Sequence, residues 1–382
     1  MATMLERANE FDLAHELTTL LFSTNTDVQK MTKININVPK TLDLQSALSL
    51  SIQLSKIKEA TSICIDFAGE GLIEPFAMLM VSSELQRTVS RLGVTDFNCL
   101  NHERMSYAAH MGFFHAFGFS TGARRGHPKG NSRHLPVNIY NCETLREQAF
   151  DENKEVGSVV EEKSQQLASM LCESESGDVF ETLSYSLREI MRNVVEHSES
   201  QKIGICAQYW PTKNKVEVAI IDRGVGLSKT LSRNPHLDVN NDKSAINYAL
   251  MPAVSGKAYK GARKQHGPWA NSGFGLYMTS RICRNGGNFF VASGDTGMLL
   301  TKAKNGKQYF TCAYEGTAVR MVIKTDQIRS LSESLKKYRE DGFAFQQKYR
   351  EIVHINPSAA SLMLSEDFDI SLWDKFIGGL KG

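Results

Sequence analysis

The first third of the chain alternates between two periods of apolar residues. Three short runs predict strands, at residues 33–38, 62–67 and 96–100. Three longer segments have apolar positions at helical spacing, at residues 42–57, 77–92 and 105–114. Strands that alternate with helices of this length are typical of βαβ units. We therefore expect a small α/β domain in this part of the chain.

The rest of the chain predicts a different arrangement. Six apolar runs predict strands, at residues 203–209, 215–221, 288–292, 298–302, 308–312 and 317–324. A strand at residues 135–140, a helix at residues 155–171 and a helix around Glu189 precede them. These elements favour a mostly antiparallel sheet with helices on one face. Residues 10–22 predict a short amphipathic helix, and residues 326–382 a helical tail.

A polar stripe marks the helix that contains Glu189. Glu189, Asn193 and His197 are spaced four residues apart. Because a helix turns by about 100° per residue, successive members drift by only about 40°, and the three side chains share one face. An apolar face lies beside it: Leu183, Leu187, Ile190, Met191, Val194 and Val195. Such a stripe fits a ligand site, and it is also typical of a solvated helix face.

Two glycine-containing blocks follow this helix. Asp222 ends a buried-strand run and precedes Gly224 and Gly226, which allow a tight turn and a close approach to a ligand. Gly273 and Gly275 open a short amphipathic helix, whose first N–H groups are free to bind phosphate oxygens. Each block alone also fits an ordinary turn, and only their order along the chain favours a ligand site.

The blocks occur in the order found in one nucleotide-binding superfamily. With Thr317 at the start of a last strand, they resemble the GHKL superfamily of gyrase, Hsp90, histidine-kinase and MutL ATP-binding domains. The resemblance covers roughly residues 160 to 325 and implies the Bergerat fold, a two-layer α/β sandwich that binds ATP and Mg²⁺. It implies that Asn193 holds Mg²⁺, that Glu189 is the general base, and that Asp222 accepts a hydrogen bond from the adenine amino group.

The resemblance also implies a wider set of nucleotide contacts. Their residues are His197, Gly224, Gly226, Gly273, Gly275, Leu276 and Thr317. Among them, Thr317 would complete adenine recognition and the glycines would bring the nucleotide against bare backbone. His197 would lie near the phosphates as a positive group, although a histidine that only packs or caps fits the same position.

A long segment between the second and third blocks would form the ATP lid, at residues 227–272. Lids order around the γ-phosphate. This one is basic: Lys229, Arg233, Lys243, Lys257, Lys260, Arg263, Lys264 and His266. It fits a loop that closes on triphosphate and equally a solvated loop. It contains no phenylalanine, and no histidine lies between His134 and His197, so a sensor histidine kinase is disfavoured.

The first α/β segment has a resemblance of its own. Residues 63–69, which lead to residues 73–78 and a helix, resemble a STAS domain, the small fold of anti-sigma-factor antagonists. Regulated members carry a phosphorylatable serine or threonine where this chain has Glu74, Pro75 and Phe76. We therefore expect a docking or scaffold module, with a generic α/β cap domain as the alternative.

Composition narrows the function classes. The net charge is +2 with interspersed signs, so nucleic-acid binding is not supported beyond a basic stretch at residues 120–133 that fits a solvated loop. The seven scattered cysteines argue against a disulfide framework and a zinc site. The acidic N-terminal segment is unlike a secretory signal, and no run reaches 18 apolar residues. We expect a cytoplasmic protein that does not cross a membrane.

These observations lead to one functional hypothesis and two alternatives. The chain divides into a helical segment (1–32), a STAS-like domain (33–150), a GHKL ATP-binding domain (151–325) and a helical tail (326–382). We expect a Mg²⁺-dependent ATPase whose nucleotide state drives a switch for a protein partner, with a homodimer through the lid or the N-terminal domain. The alternatives are a protein serine kinase of the anti-sigma kind and a module that holds ATP without hydrolysing it.

Overall fold

The computed structural model of the protein describes most of the chain between residues 32 and 350. Its described residues are 32–67, 71–122, 133–257, 259, 273–303, 306–328, 330–350 and 364. The helix expected at residues 10–22 lies outside them, as do most of the basic stretch and nearly all of the tail beyond residue 350. Among the residues that are described, no helix combines the length and apolar character needed to cross a bilayer.

The first unit, residues 33–122, is built on a three-stranded parallel sheet in the order β1-β2-β3. Its elements are β1 (Lys33–Asn37), α1 (Leu44–Lys56), β2 (Ser62–Asp66), α2 (Pro75–Leu92) and β3 (Asp96–Leu100). Local sequence sets the ends of the helices: Asp43 accepts a hydrogen bond from the Ser46 amide, and Gly93 ends α2 with a left-handed φ of 63°. The βαβ prediction is confirmed.

One helix prediction in this unit is wrong. The segment at residues 105–114 forms two short helices, α3 (Ser106–His110) and α4 (Phe113–Ala116). Gly112 between them has a φ of 73°, a left-handed conformation that ends the first helix. The apolar spacing continues through the break because residues on both sides are buried, and periodicity alone therefore hides it.

The second unit, residues 133–350, is built on a five-stranded antiparallel sheet in the order β4-β5-β6-β8-β7. Its strands are β4 (His134–Asn141), β5 (Lys202–Trp210), β6 (Lys215–Asp222), β7 (Asn288–Thr301) and β8 (Lys307–Lys324). Its helices are α5 (Cys142–Asp151), α6 (Val156–Cys172), α7 (Asp178–His197), α8 (Gly226–Leu231), α9 (Asp242–Ala249), α10 (Gly275–Arg284) and α11 (Leu331–Arg350). The α/β class is confirmed, and β4 joins this sheet, although the sequence analysis includes it in residues 33–150.

The four strands expected between residues 288 and 324 are two long ones. β7 and β8 pair as a single hairpin, so the predicted breaks at residues 293–297 and 313–316 are wrong. The register shifts at Ser293 and again before Thr296, and Gly294 has a φ of 64°. Such bulges bend a strand without ending it, and the polar and glycine residues there resemble a turn in the sequence.

The antiparallel sheet is buried on both faces. Val218 and Ile220 on β6 belong to the core formed with α6, α7 and α10. Ala219 and Ile221, which point the other way, belong to the core of the first unit, where α1 and α2 pack against the sheet. The sequence predicts helices on one face only. The first unit covers the second face, and this double burial accounts for the unbroken apolar run in β6.

A cluster of charged side chains lies inside the interface between the two units. Glu217 on β6 is fully buried, and its Oε2 atom lies 2.8 Å from Arg320 Nη2 and 3.3 Å from Lys215 Nζ. The same two cations contact Glu74 at the start of α2, at 2.9 and 3.4 Å. Glu217 also accepts a hydrogen bond from the Phe76 amide at 3.3 Å. The cluster therefore fixes α2 to the centre of the sheet.

We predict that Arg320→Met destabilises the protein because it leaves Glu217 and Glu74 buried with only Lys215 to balance them. The free energy of unfolding should fall by about 3 kcal/mol, the cost of removing one partner from a buried pair. Urea denaturation followed by circular dichroism measures it. Arg87→Met, which removes an ion pair between a half-buried arginine and the exposed Glu315, is the control and should cost less than about 1 kcal/mol. Equal losses in the two variants would contradict the prediction.

Candidate functional site

A cavity of about 860 Å³ lies between α7, the sheet, the start of α10 and α11. Its volume is typical of small-molecule sites, which range from about 300 to 1,000 Å³. Eight of the residues singled out in the sequence line it: Glu189, Asn193, His197, Asp222, Gly273, Gly275, Leu276 and Thr317. Gly224 and Gly226 lie beside the cavity but do not line it. Residues 128 positions apart in the sequence, Glu189 and Thr317, thus meet in one site.

The polar stripe of α7 faces this cavity. The apolar face of the helix is buried in the core, which turns Glu189, Asn193 and His197 toward the open space. His197 Nε2 lies 3.9 Å from Glu196 Oε2. The side-chain amide of Asn193 has no hydrogen-bond partner among the residues that the structure describes. The amide is therefore free to bind a ligand.

Strand register brings the second and third candidates together. Asp222 at the end of β6 is paired with Thr317 on β8. Its carboxylate is buried and accepts a hydrogen bond from the Gly224 amide at 2.7 Å. Burial raises the pKa of Asp222 to about 6, although hydrogen bonds from Gly224 and Thr317 lower it. At neutral pH the group is therefore a buried, charged hydrogen-bond acceptor.

The backbone geometry after Asp222 requires glycine at positions 224 and 226. A Cβ atom on Gly224 would lie 1.9 Å from the Ser198 carbonyl oxygen, and the Val225 amide donates to that oxygen at 2.8 Å. Gly226 has a φ of 74°, where a side chain would be strained. Gly224 thus brings the end of β6 against the end of α7.

The glycine loop before α10 closes another side of the cavity. Gly273 has a φ of 69°, and a Cβ atom there would lie 2.7 Å from the Val254 carbonyl oxygen. A Cβ atom on Gly275 would lie 2.5 Å from Glu189 Oε2, so the loop contacts the carboxylate of α7 directly. Gly275 and Leu276 form the first turn of α10, where helix N–H groups lack intrahelical acceptors. The cavity therefore has donors suited to an anion.

Glu189 is held by its neighbour in the sequence. Arg188 donates to Glu189 Oε1 through Nε at 3.2 Å and through Nη2 at 2.9 Å. Its Nη1 atom donates to Glu161 on α6 at 3.1 Å, and its guanidinium lies 5.0 Å from the centre of the Tyr185 ring. One carboxylate oxygen of Glu189 is thus engaged by Arg188, and the other lies against Gly275.

Other charges around the cavity are partly paired. Arg192 on α7 donates to both oxygens of Glu196, at 2.8 and 3.2 Å. Lys257, from the segment expected to form a lid, donates to the Glu196 carbonyl oxygen. That segment includes α8 and α9 and is described only in part, because residues 258 and 260–272 lie outside the described residues.

Several residues that line the cavity were not singled out in the sequence. Tyr185 lies four residues before Glu189 and Arg192 three residues after it, so the stripe could have been extended to include these two. Arg188 is the immediate neighbour of Glu189 and falls outside that spacing. Arg339 and Phe343 belong to α11, and the Phe343 ring lies 5.2 Å from that of Phe274 in the glycine loop. No sequence pattern near residue 340 marks this contact, because it depends on how α11 packs against α10.

We predict a pH-dependent effect of Asp222→Asn on stability. Because the folded protein binds the Asp222 proton more tightly than the unfolded chain does, this carboxyl group favours folding below about pH 4. That contribution is lost as the pH rises through about 6. The free energy of unfolding of the wild type, minus that of the variant, should therefore fall by about 2 kcal/mol between pH 4 and pH 7.

Urea denaturation at intervals of pH measures this difference. Asp151→Asn, which changes an exposed carboxyl group at the end of α5, is the control and should track the wild type at every pH. A difference for Asp222→Asn that does not vary with pH would show that burial does not perturb this group.

Comparisons with known proteins add no assignment to this geometry. No protein-family profile matches the chain. No curated protein matches it at the threshold for significance. Among the described residues, no group of three or more His, Cys, Asp or Glu side chains could hold a metal ion.

Proposed function

We propose that this protein is a GHKL-type ATPase that binds ATP with Mg²⁺ in the cavity and hydrolyses it. One observation carries the proposal: three blocks that are far apart in the sequence line a single cavity. The strand end at Asp222, with Thr317, would bind the base. The polar stripe of α7 and the loop at Gly273 and Gly275 would bind the phosphates. The proposal includes the Bergerat fold for the second unit.

The base would bind at the buried end of the cavity. Adenine presents an amino group as a hydrogen-bond donor, and the Asp222 carboxylate is an acceptor whose pKa of about 6 leaves it charged at neutral pH. Thr317 lies directly across from it on β8. Guanine presents a carbonyl oxygen at the same place, so this end favours adenine.

The phosphates would bind between α7 and the first turn of α10. The Asn193 amide oxygen suits Mg²⁺, which prefers oxygen ligands and usually takes only one or two of them from the protein. When bound, Mg²⁺ neutralises phosphate charge. The N–H groups at the start of α10, near Gly275 and Leu276, donate to phosphate oxygens.

Glu189 would act as the general base. As the oxygen of water attacks the γ-phosphorus, Glu189 takes the proton of water and the bond to the bridging oxygen of ADP breaks. Arg188 holds Glu189 Oε1 and so orients the carboxylate. The products are ADP and inorganic phosphate.

The segment from α8 onward would report the nucleotide state. Lys257 already contacts the carbonyl oxygen of Glu196 on α7 beside the cavity. Closure of residues 227–272 over bound triphosphate would alter a surface that a protein partner or a second copy of the chain reads. The first unit would serve as the docking module.

A second function is favoured by the Arg188–Glu189 pair. Arg188 engages one oxygen of the Glu189 carboxylate with two hydrogen bonds, and Gly275 lies against the other, so an attacking water has little access to this carboxylate. The protein would then hold ATP without hydrolysing it. Retained ATP with no release of phosphate supports this function, and stable phosphoprotein supports a serine kinase instead.

We predict that Glu189→Gln separates binding from hydrolysis. The amide keeps the shape of the carboxylate but takes up no proton, so phosphate release should fall by about a hundredfold while ATP affinity stays near that of the wild type. Malachite-green phosphate detection and calorimetry measure the two quantities. Glu181→Gln, an exposed change on the same helix, is the control. Unchanged hydrolysis in the Glu189 variant would reject the general-base role.

We predict that Asn193→Ala removes the dependence of ATP affinity on Mg²⁺. Loss of the amide ligand should weaken Mg²⁺-ATP binding about 10- to 100-fold, the range for groups that tune metal sites. Affinity in EDTA should change little. Calorimetric titrations with Mg²⁺ and with EDTA test this, and an equal loss in both buffers would mean that Asn193 does not hold the metal.

A further inference from the structure

Arg223 lies between Asp222 and Gly224 but points away from the cavity. Because side chains alternate across a strand, Asp222 faces the cavity and the next residue faces the first unit. The Arg223 guanidinium reaches α2, where Nε and Nη2 donate to Ser83 Oγ at 3.1 and 2.8 Å. Nη2 also forms an ion pair with Glu84 Oε1 at 2.8 Å. The first unit thus contacts the residue beside the proposed base acceptor.

A second contact connects this ion pair to Asp222 itself. The Arg223 guanidinium lies 4.2 Å from the centre of the Tyr314 ring. The Tyr314 hydroxyl donates to the Asp222 carbonyl oxygen at 3.1 Å. Gly316, with a φ of 114°, lies so close that a Cβ atom there would be 2.2 Å from the same oxygen. The backbone that carries the Asp222 carboxylate is therefore fixed from behind.

Stability alone does not account for a carboxylate at position 84. Glu84 is 2% exposed, and burial raises its pKa even though the adjacent Arg223 lowers it. A buried ion pair often stabilises a protein no more than apolar side chains of similar size would. Its neighbours on α2, Val81 and Leu85, are apolar residues in the same core. A requirement other than packing therefore favours the charge.

We propose that Glu84, Arg223 and Tyr314 are positioning residues that make the first unit part of base recognition. This inference rests on the proposed ATP site. Glu84 orients Arg223, Arg223 orients the Tyr314 ring, and the Tyr314 hydroxyl fixes the Asp222 backbone. Without this support the Asp222 carboxylate still faces the cavity, but it is no longer aligned with the amino group of adenine. Discrimination between adenine and guanine therefore falls.

Two pairs of matched variants test the inference. Tyr314→Phe removes the hydroxyl that donates to the Asp222 carbonyl oxygen. Tyr107→Phe removes a hydroxyl that donates to Gln208 across the same interface. Gln208 lies on β5 five residues from Ile203, the residue that pairs with Asp222. Glu84→Gln neutralises the pair with Arg223, whereas Glu74→Gln neutralises a carboxylate of the other interfacial ion cluster. Calorimetry with ATP and with GTP measures the affinity ratio, and thermal melting shows which variants fold.

We expect Tyr314→Phe and Glu84→Gln to lower ATP affinity about tenfold and GTP affinity less, so the ATP-to-GTP ratio falls. The controls should keep the wild-type ratio whatever their melting temperatures. Equal shifts in all four variants, or none in the first two, would overturn the inference and leave the ATP site intact. If Glu84→Gln does not fold, Tyr314→Phe decides. A wild type that binds no ATP would overturn the ATP site as well.

Discussion

Burial of the antiparallel sheet on both faces is the constraint on which the rest of the structure depends. A strand that is covered on two sides has no solvent for its polar side chains, so every charge within it needs a partner. Glu217 meets this requirement through Arg320 and Lys215, and the same cations hold Glu74 at the start of α2. The ion cluster thus ties the two units into one body, with β6 and β8 at its centre.

The same two strands assemble the candidate site. Their antiparallel register places Thr317 opposite Asp222, and no side-chain interaction is needed to bring the two together. The strand end then meets α7 through the contact of Gly224 with Ser198. The distance between Asp222 and Glu189 is consequently set by packing in the core, well away from either carboxylate.

Sequence patterns predicted local features better than contacts between distant segments. The α7 stripe and the glycine loop could be found because helical spacing and glycine placement are local properties, and eight candidate residues line one cavity. Gly112 and the bulges near Gly294 were misread because a left-handed residue or a bulge changes direction without interrupting burial. The contact of α11 with the cavity and the packing of the first unit on the second face of the sheet depend on tertiary packing. Such packing has no fixed sequence spacing.

Adjacent residues at the end of β6 face opposite sides of the sheet, so contacts on the two sides act on the same stretch of backbone. Asp222 and Arg223 are joined by one peptide unit, so a rotation of this backbone segment about the strand axis moves both residues. A ligand held by Asp222 would resist such a rotation from the cavity side, and Glu84 with Ser83 resists it from the first unit. In the proposed site, ligand binding and docking of the first unit would therefore act on one backbone segment, and each would stabilise the geometry that the other requires.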